Sequence, residues 1–155
     1  MTKLEYLKNL IYDMGIFINN YHFSASKKAM AYFEVDKTEE YKAILLDKPN
    51  IESDLEEMLL LAEETGHFAT NALYIIEATI NFGSAKSNRI KYESKAKRWA
   101  AQFVLSSKEI QEAIDCGCKY NYEVAEYHNV NVESVNKAFE LYKQKGVAFG
   151  APLDD

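Results

Sequence analysis

The sequence has 155 residues, 48% of them hydrophobic and 27% charged, with a formal net charge of −6 at pH 7. This length predicts one domain with a continuous core, and the composition excludes a disordered chain. The negative charge disfavours unspecific nucleic-acid binding, which depends on many Lys and Arg contacts to phosphate. We see no apolar run of the roughly 20 residues that a membrane span needs, and no signal-peptide pattern at the N-terminus. We therefore expect a soluble cytoplasmic protein without a membrane partner.

The N-terminal third predicts one helix and a small sheet. Apolar residues recur at helical spacing over residues 4–14, and Gly15 ends the pattern. Residues 29–35 and 41–46 are short segments rich in β-forming side chains. They predict a hairpin or two neighbouring strands.

The next helix is predicted from about residue 51–53 to residue 69. It follows the break at Pro49, and residues 53–56 (SDLE) match a capping box. Its predicted buried stripe comprises Leu55, Met58, Leu59 and Ala62. Residues 70–83 are compatible with either strand or helix, so this segment stays open.

The remaining chain predicts helices only, at about residues 88–105, 107–116, 122–127 and 132–145. The fold class is therefore α+β and mostly helical, with the small sheet near the N-terminus. We expect a single domain over residues 1–155, with a core at about 1–105 and C-terminal helices at about 106–145. The last two helices have a helix-turn-helix-like order, but Lys137 is the only basic residue over 123–138. Packing or protein docking is thus expected there instead of direct nucleic-acid binding.

The segment that points to chemistry is residues 61–67 (LAEETGH). Residues four apart share a helix face, so Glu63 and His67 can bind one ion while Glu64 lies beside it and polarises a water. This is the spacing of the HExxH metallopeptidase motif with its first His replaced by Glu. The alternative is an exposed ion pair on an amphipathic helix.

Two features of the surrounding sequence favour the metal site. Gly66 lies inside a strong helix, where it costs roughly 1 kcal/mol relative to Ala, which suggests that a neighbouring group needs the room or that another backbone approaches closely. Glu93 precedes the small residues Ala96 and Ala100 on a second helix, and small residues let helices pack closely. Glu93 would then complete three protein ligands, leaving a fourth position for water.

Residues 61–70 (LAEETGHFAT) and 92–101 (YESKAKRWAA) together resemble the ImmA/IrrE family of metallopeptidases, particularly its phage and mobile-element branch. The resemblance extends over roughly residues 40–145, including the strand-like segment 43–47 and the closing segment 123–130.

This resemblance implies a zincin-like fold, a divalent metal and hydrolysis of a helix-turn-helix repressor, an anti-repressor activity that ends the dormancy of an integrated phage or mobile element. Carried over by position, Glu63, His67 and Glu93 would be metal ligands and Glu64 the catalytic general base. Zinc is the first expectation for the metal.

The departure from the usual motif is Glu63, which stands where the motif has His. Two carboxylates and one neutral imidazole cancel the charge of a divalent ion, so bound water should be less acidic than in a shell of two His and one Glu. Manganese or iron, which tolerate oxygen ligands, are therefore alternatives to zinc, as is loss of the metal.

Three functions follow from these observations. The first is a metal-dependent peptidase with a repressor as its substrate. The second is a non-catalytic protein of the same fold that binds a repressor or another regulatory protein. The third is a helical regulatory domain unrelated to peptidases, in which Glu63, His67 and Glu93 do not converge.

Overall fold

The computed structural model describes residues 1–70 and 82–149, with the backbone alone for residues 82–89. The undecided segment 70–83 falls almost entirely outside the described residues. The chain forms two compact units, residues 1–99 and residues 100–155. In the described residues the fold is α+β and mostly helical with a small three-stranded sheet. No described helix is long and apolar enough to cross a membrane.

The first unit begins with helix α1 (Lys3–Asp13), followed by strands β1 (Phe17–Asn20), β2 (Ala29–Asp36) and β3 (Glu39–Leu46). Thr2 caps α1 because its hydroxyl accepts the N–H of Glu5, whose carboxylate accepts the N–H of Thr2 in return. The predicted first helix and the predicted hairpin are both confirmed. Strand β1 was not predicted.

The strand order is β1-β3-β2, so β3 is central. Strand β1 pairs with β3 in parallel, with Phe17 opposite Ala43, and β2 pairs with β3 antiparallel, with Tyr32 also opposite Ala43. Side chains alternate between the faces of a strand. One face therefore carries the buried Ile44 and Leu46, and the other carries Tyr41 and Ala43.

After a short 3-10 turn (Lys48–Asn50), helix α2 (Asp54–Ala69) packs against β2, β3 and α1. Ser53 caps it as predicted by accepting the N–H of Glu56, but the Glu56 carboxylate accepts the N–H of Glu52 instead of completing the capping box. The predicted buried stripe is correct for Met58 and Ala62. The buried face extends further, to the residues Glu57, Leu61, Thr65, Gly66, His67 and Phe68.

Helix α3 (Phe82–Val104) contributes its residues up to Trp99 to the first unit. The second unit contains α4 (Ser107–Asp115), α5 (Asn121–His128) and α6 (Val132–Gln144), in agreement with the predicted helices. The turn between α5 and α6 uses Asn129 in the left-handed conformation (φ 53°). The core of this unit is apolar, and the buried Tyr142 hydroxyl donates to the Leu105 carbonyl at 2.8 Å.

Candidate metal and catalytic site

Three of the four predicted site residues lie on helix α2, where the helical repeat fixes their relative directions. Glu63 and His67 are one turn apart and share a face, and Glu64 neighbours them. The His67 side chain is buried, with 5% of the residue exposed. His67 is therefore not part of an exposed surface pair.

The predicted close approach of a second backbone at Gly66 is present. A Cβ atom placed on Gly66 would lie 2.4 Å from the carbonyl oxygen of Ala96 and 3.0 Å from its carbonyl carbon. Real Cβ atoms essentially never come within 3.0 Å of a heavy atom from another part of the chain. Helices α2 and α3 thus cross at a separation that only glycine at position 66 permits.

This crossing brings together His67 on α2 and Glu93 on α3. The His67 Nε2 atom lies 3.7 Å from the Glu93 Oε2 atom, and the Glu93 side chain is 34% exposed. One turn of α3 separates Glu93 from the crossing point at Ala96. The pair therefore consists of the buried imidazole nitrogen of His67 and the partly solvated carboxylate of Glu93.

The chemistry of this pair fits a divalent metal. Imidazole nitrogen and carboxylate oxygen are both ligands of zinc, and manganese and iron accept the same donors. Two ligand atoms about 2.1 Å from one tetrahedral ion are about 3.4 Å apart, whereas a direct N–H···O hydrogen bond measures about 2.7 to 3.2 Å. The observed 3.7 Å is near the spacing of two ligands on one ion and also within the range of a direct ion pair, so the distance is compatible with both.

Glu64, the predicted general base, contacts the edge of the sheet. Its Oε2 atom accepts a hydrogen bond of 2.7 Å from the backbone N–H of Ala31 on β2. Burial raises the pKa of Glu64 above the ordinary carboxyl value, and the nearby charge of Glu63 raises it further. The Ala31 N–H, His67 and Lys27 act in the opposite direction without reversing the shift.

Glu63 is partly buried on the same helix. Over residues 1–70 and the described side chains of 90–149, no three His, Cys, Asp or Glu side chains form a complete ligand set. The structure thus brings His67 and Glu93 together, while Glu63 as third ligand stays a prediction.

One contact of the site escaped prediction, namely the N–H of Ala31. Its donor is a backbone group, so the identity of the side chain at position 31 carries no signal for it. Only the packing of α2 beside β2 reveals it.

Comparisons with protein-family models, curated proteins and solved structures gave no match for this chain.

Proposed function

We propose that this protein is a metal-dependent endopeptidase of the ImmA/IrrE type, with a zincin-like core, that cleaves a helix-turn-helix repressor of a phage or mobile element. The observation that carries the proposal is the 3.7 Å separation of His67 Nε2 and Glu93 Oε2 on two helices that cross at Gly66. The resemblance of residues 61–70 and 92–101 to that family supplies the substrate class.

In this proposal His67, Glu93 and Glu63 would hold the metal, with zinc as the first expectation and manganese or iron as alternatives. When bound, the metal would polarise the scissile carbonyl and lower the pKa of a water molecule. The burial of His67 keeps its ring away from bulk solvent, so competition from bulk water for the imidazole is reduced.

Glu64 would act as the general base. The Ala31 N–H holds its Oε2 atom, which leaves Oε1 to accept the proton of the attacking water and return it to the leaving amide nitrogen. A raised pKa suits this role, because a carboxylate with a higher pKa is a stronger base.

The test combines metal analysis with cleavage. Protein purified without chelator is analysed for zinc, manganese and iron, and then incubated with a panel of purified helix-turn-helix repressors whose products are read by mass spectrometry. We expect Glu64→Gln to keep metal and fold but lose cleavage, and His67→Ala to lose both metal and cleavage. The control Glu133→Gln changes an exposed carboxylate in the second unit and should retain both. Cleavage by Glu64→Gln at the wild-type rate would overturn the proposed mechanism.

The second candidate is a non-catalytic protein that binds a repressor. The observation in its favour is Glu63, because a ligand set with two carboxylates makes bound water less acidic. In that case the wild type binds a repressor from the panel without cleaving it, and Glu64→Gln binds equally well.

A further inference from the structure

One face of the sheet in the first unit carries a row of exposed aromatic rings. Phe17 on β1, Tyr41 on β3 and Tyr32 on β2 lie on the same face, because Phe17 and Tyr32 both pair with Ala43 and Tyr41 is two residues before it. These three residues are 59%, 38% and 37% exposed, respectively. Surfaces that keep several large aromatic side chains in solvent commonly mark binding sites.

The rings form an ordered row. The Phe17 and Tyr41 rings are stacked with centroids 5.7 Å apart, and the Tyr32 ring meets Tyr41 edge-on at 6.1 Å. Asn19, on the same face of β1, donates its side-chain N–H to the Tyr41 hydroxyl at 2.5 Å. These contacts fix the rings before any partner arrives, so binding would lose little side-chain entropy.

Three carboxylates lie on the same face of the sheet, nearer the β2–β3 turn. Glu34 and Asp36 follow Tyr32 at alternate positions, and Glu39 precedes Tyr41 by two residues. Asp36 lies directly opposite Glu39 in the register, an arrangement in which like charges repel. All three residues are exposed, and the Glu34 carboxylate accepts the Tyr32 hydroxyl at 3.0 Å. Lys37 in the β2–β3 turn adjoins Asp36, and Lys42 on β3 belongs to the opposite face. Three carboxylates against one neighbouring ammonium group leave the local charge beside the rings negative.

We propose that this aromatic and acidic face, consisting of Phe17, Tyr32, Tyr41, Glu34, Asp36 and Glu39, binds an arginine-bearing segment of a protein partner. The guanidinium group stacks on aromatic rings and forms paired hydrogen bonds with carboxylates, so one side chain can use both features. The carboxylates disfavour nucleic acid and also a second copy of the same face. The partner's identity as the cleaved repressor rests on the proposed function, whereas the surface itself does not.

The test uses a fluorescein-labelled octapeptide of alternating Arg and Ser, with Lys-Ser and Glu-Ser peptides for comparison, in fluorescence anisotropy at low ionic strength. We expect the Arg-Ser peptide to bind more tightly than the Lys-Ser peptide and the Glu-Ser peptide not to bind. Removing the three carboxylates should weaken Arg-Ser binding about tenfold, since each exposed ion pair contributes modestly, and Tyr32→Leu should weaken it about threefold. The acidic-face variant is Glu34→Gln, Asp36→Asn and Glu39→Gln together.

A matched variant controls for net charge. It removes three exposed carboxylates of the second unit and should bind the Arg-Ser peptide as the wild type does; its changes are Glu112→Gln, Glu126→Gln and Glu140→Gln. Equal losses in both triple variants, or no binding of the Arg-Ser peptide, would overturn the proposal. So would a change of oligomeric state in the acidic-face variant without a change in peptide binding, since that would assign the face to a second copy.

The binding measurement is made in the Glu64→Gln background, so it does not depend on peptidase activity. If the wild type binds the peptide but cleaves no repressor, the result supports the proposed binding surface and contradicts the proposed function. Cleavage with an unchanged KM in the acidic-face variant would keep the function and exclude the repressor as the partner of this surface, which the peptide measurement tests separately.

Discussion

Replacing Gly66 with alanine tests the link between the helix crossing and the site. In an ordinary helix interior this substitution stabilises the protein by about 1 kcal/mol. At Gly66 the added Cβ would lie 2.4 Å from the Ala96 carbonyl oxygen, whereas ordinary contacts begin at 3.4 Å. Helices α2 and α3 must therefore separate by the difference, 3.4 − 2.4 = 1.0 Å.

Overpacking of this kind costs about 1 to 3 kcal/mol, and a clash with backbone falls at the upper end because no side chain can rotate away. After subtraction of the helix-propensity gain, we expect Gly66→Ala to lower the free energy of unfolding by about 1 to 2 kcal/mol. The same displacement moves Glu93 away from His67, so zinc affinity should fall at least tenfold if both are ligands.

Urea denaturation measures the stability, and competitive titration with a chromophoric chelator measures zinc affinity. Because the obstacle is the backbone carbonyl of Ala96, adding Ala96→Gly should not rescue Gly66→Ala. A Gly66→Ala protein that is as stable as the wild type and binds zinc equally well would refute the reasoning.

Three further predictions address single contacts. Burial alone would raise the pKa of Glu57, but the ammonium groups of Lys48 and Lys8, the latter at 2.9 Å, outweigh it and lower the pKa below 4.5. A carboxylate whose pKa is lowered in the folded state contributes stability above its unfolded-state pKa and loses this contribution as pH falls through its folded-state pKa. Glu57→Gln should therefore cost about 1 to 2 kcal/mol in urea titrations at neutral pH, and this cost should shrink as the solution is acidified. If Glu63 is a ligand, competitive zinc titration should rank Glu63→His tightest, wild type next and Glu63→Ala weakest, while equal affinities would exclude it. Tyr142→Phe leaves the buried Leu105 carbonyl without its 2.8 Å donor and should lower the free energy of unfolding by about 1 to 2 kcal/mol, measured by thermal unfolding.

Most helices and the hairpin could be predicted because their signals are local. Ser53 and Ser106 cap their helices through the N–H three residues later, a spacing visible in the sequence. Strand β1 (Phe17–Asn20) has four residues, two of them Asn, and depends on parallel pairing with β3. Such pairing is a long-range interaction, so the segment carries little signal of its own.

The burial of Glu57 could not be predicted for a related reason. In the sequence it stands among several acidic residues of one helix and looks solvated. Its cationic neighbours, Lys8 on α1 and Lys48 in the 3-10 turn, come from separate segments of the chain. A buried carboxylate is tolerated when such partners surround it, and the helical repeat of α2 does not reveal them.

In the candidate site, too, features set by local sequence could be predicted, whereas features set by tertiary packing mostly could not. The shared face of Glu63 and His67 follows from helical periodicity alone. The approach of Glu93 depends on tertiary packing, but Gly66 indicated it in the sequence. Glycine is unfavourable inside a helix, so its presence there suggests that a neighbouring group needs the space of a side chain. The Ala96 carbonyl is that neighbouring group. The sequence does not indicate the hydrogen bond from the Ala31 N–H to Glu64, since any residue at position 31 except proline offers the same donor. Position 31 should therefore tolerate small side chains but not proline, and an Ala31→Pro protein would lose the contact that orients the Glu64 carboxylate.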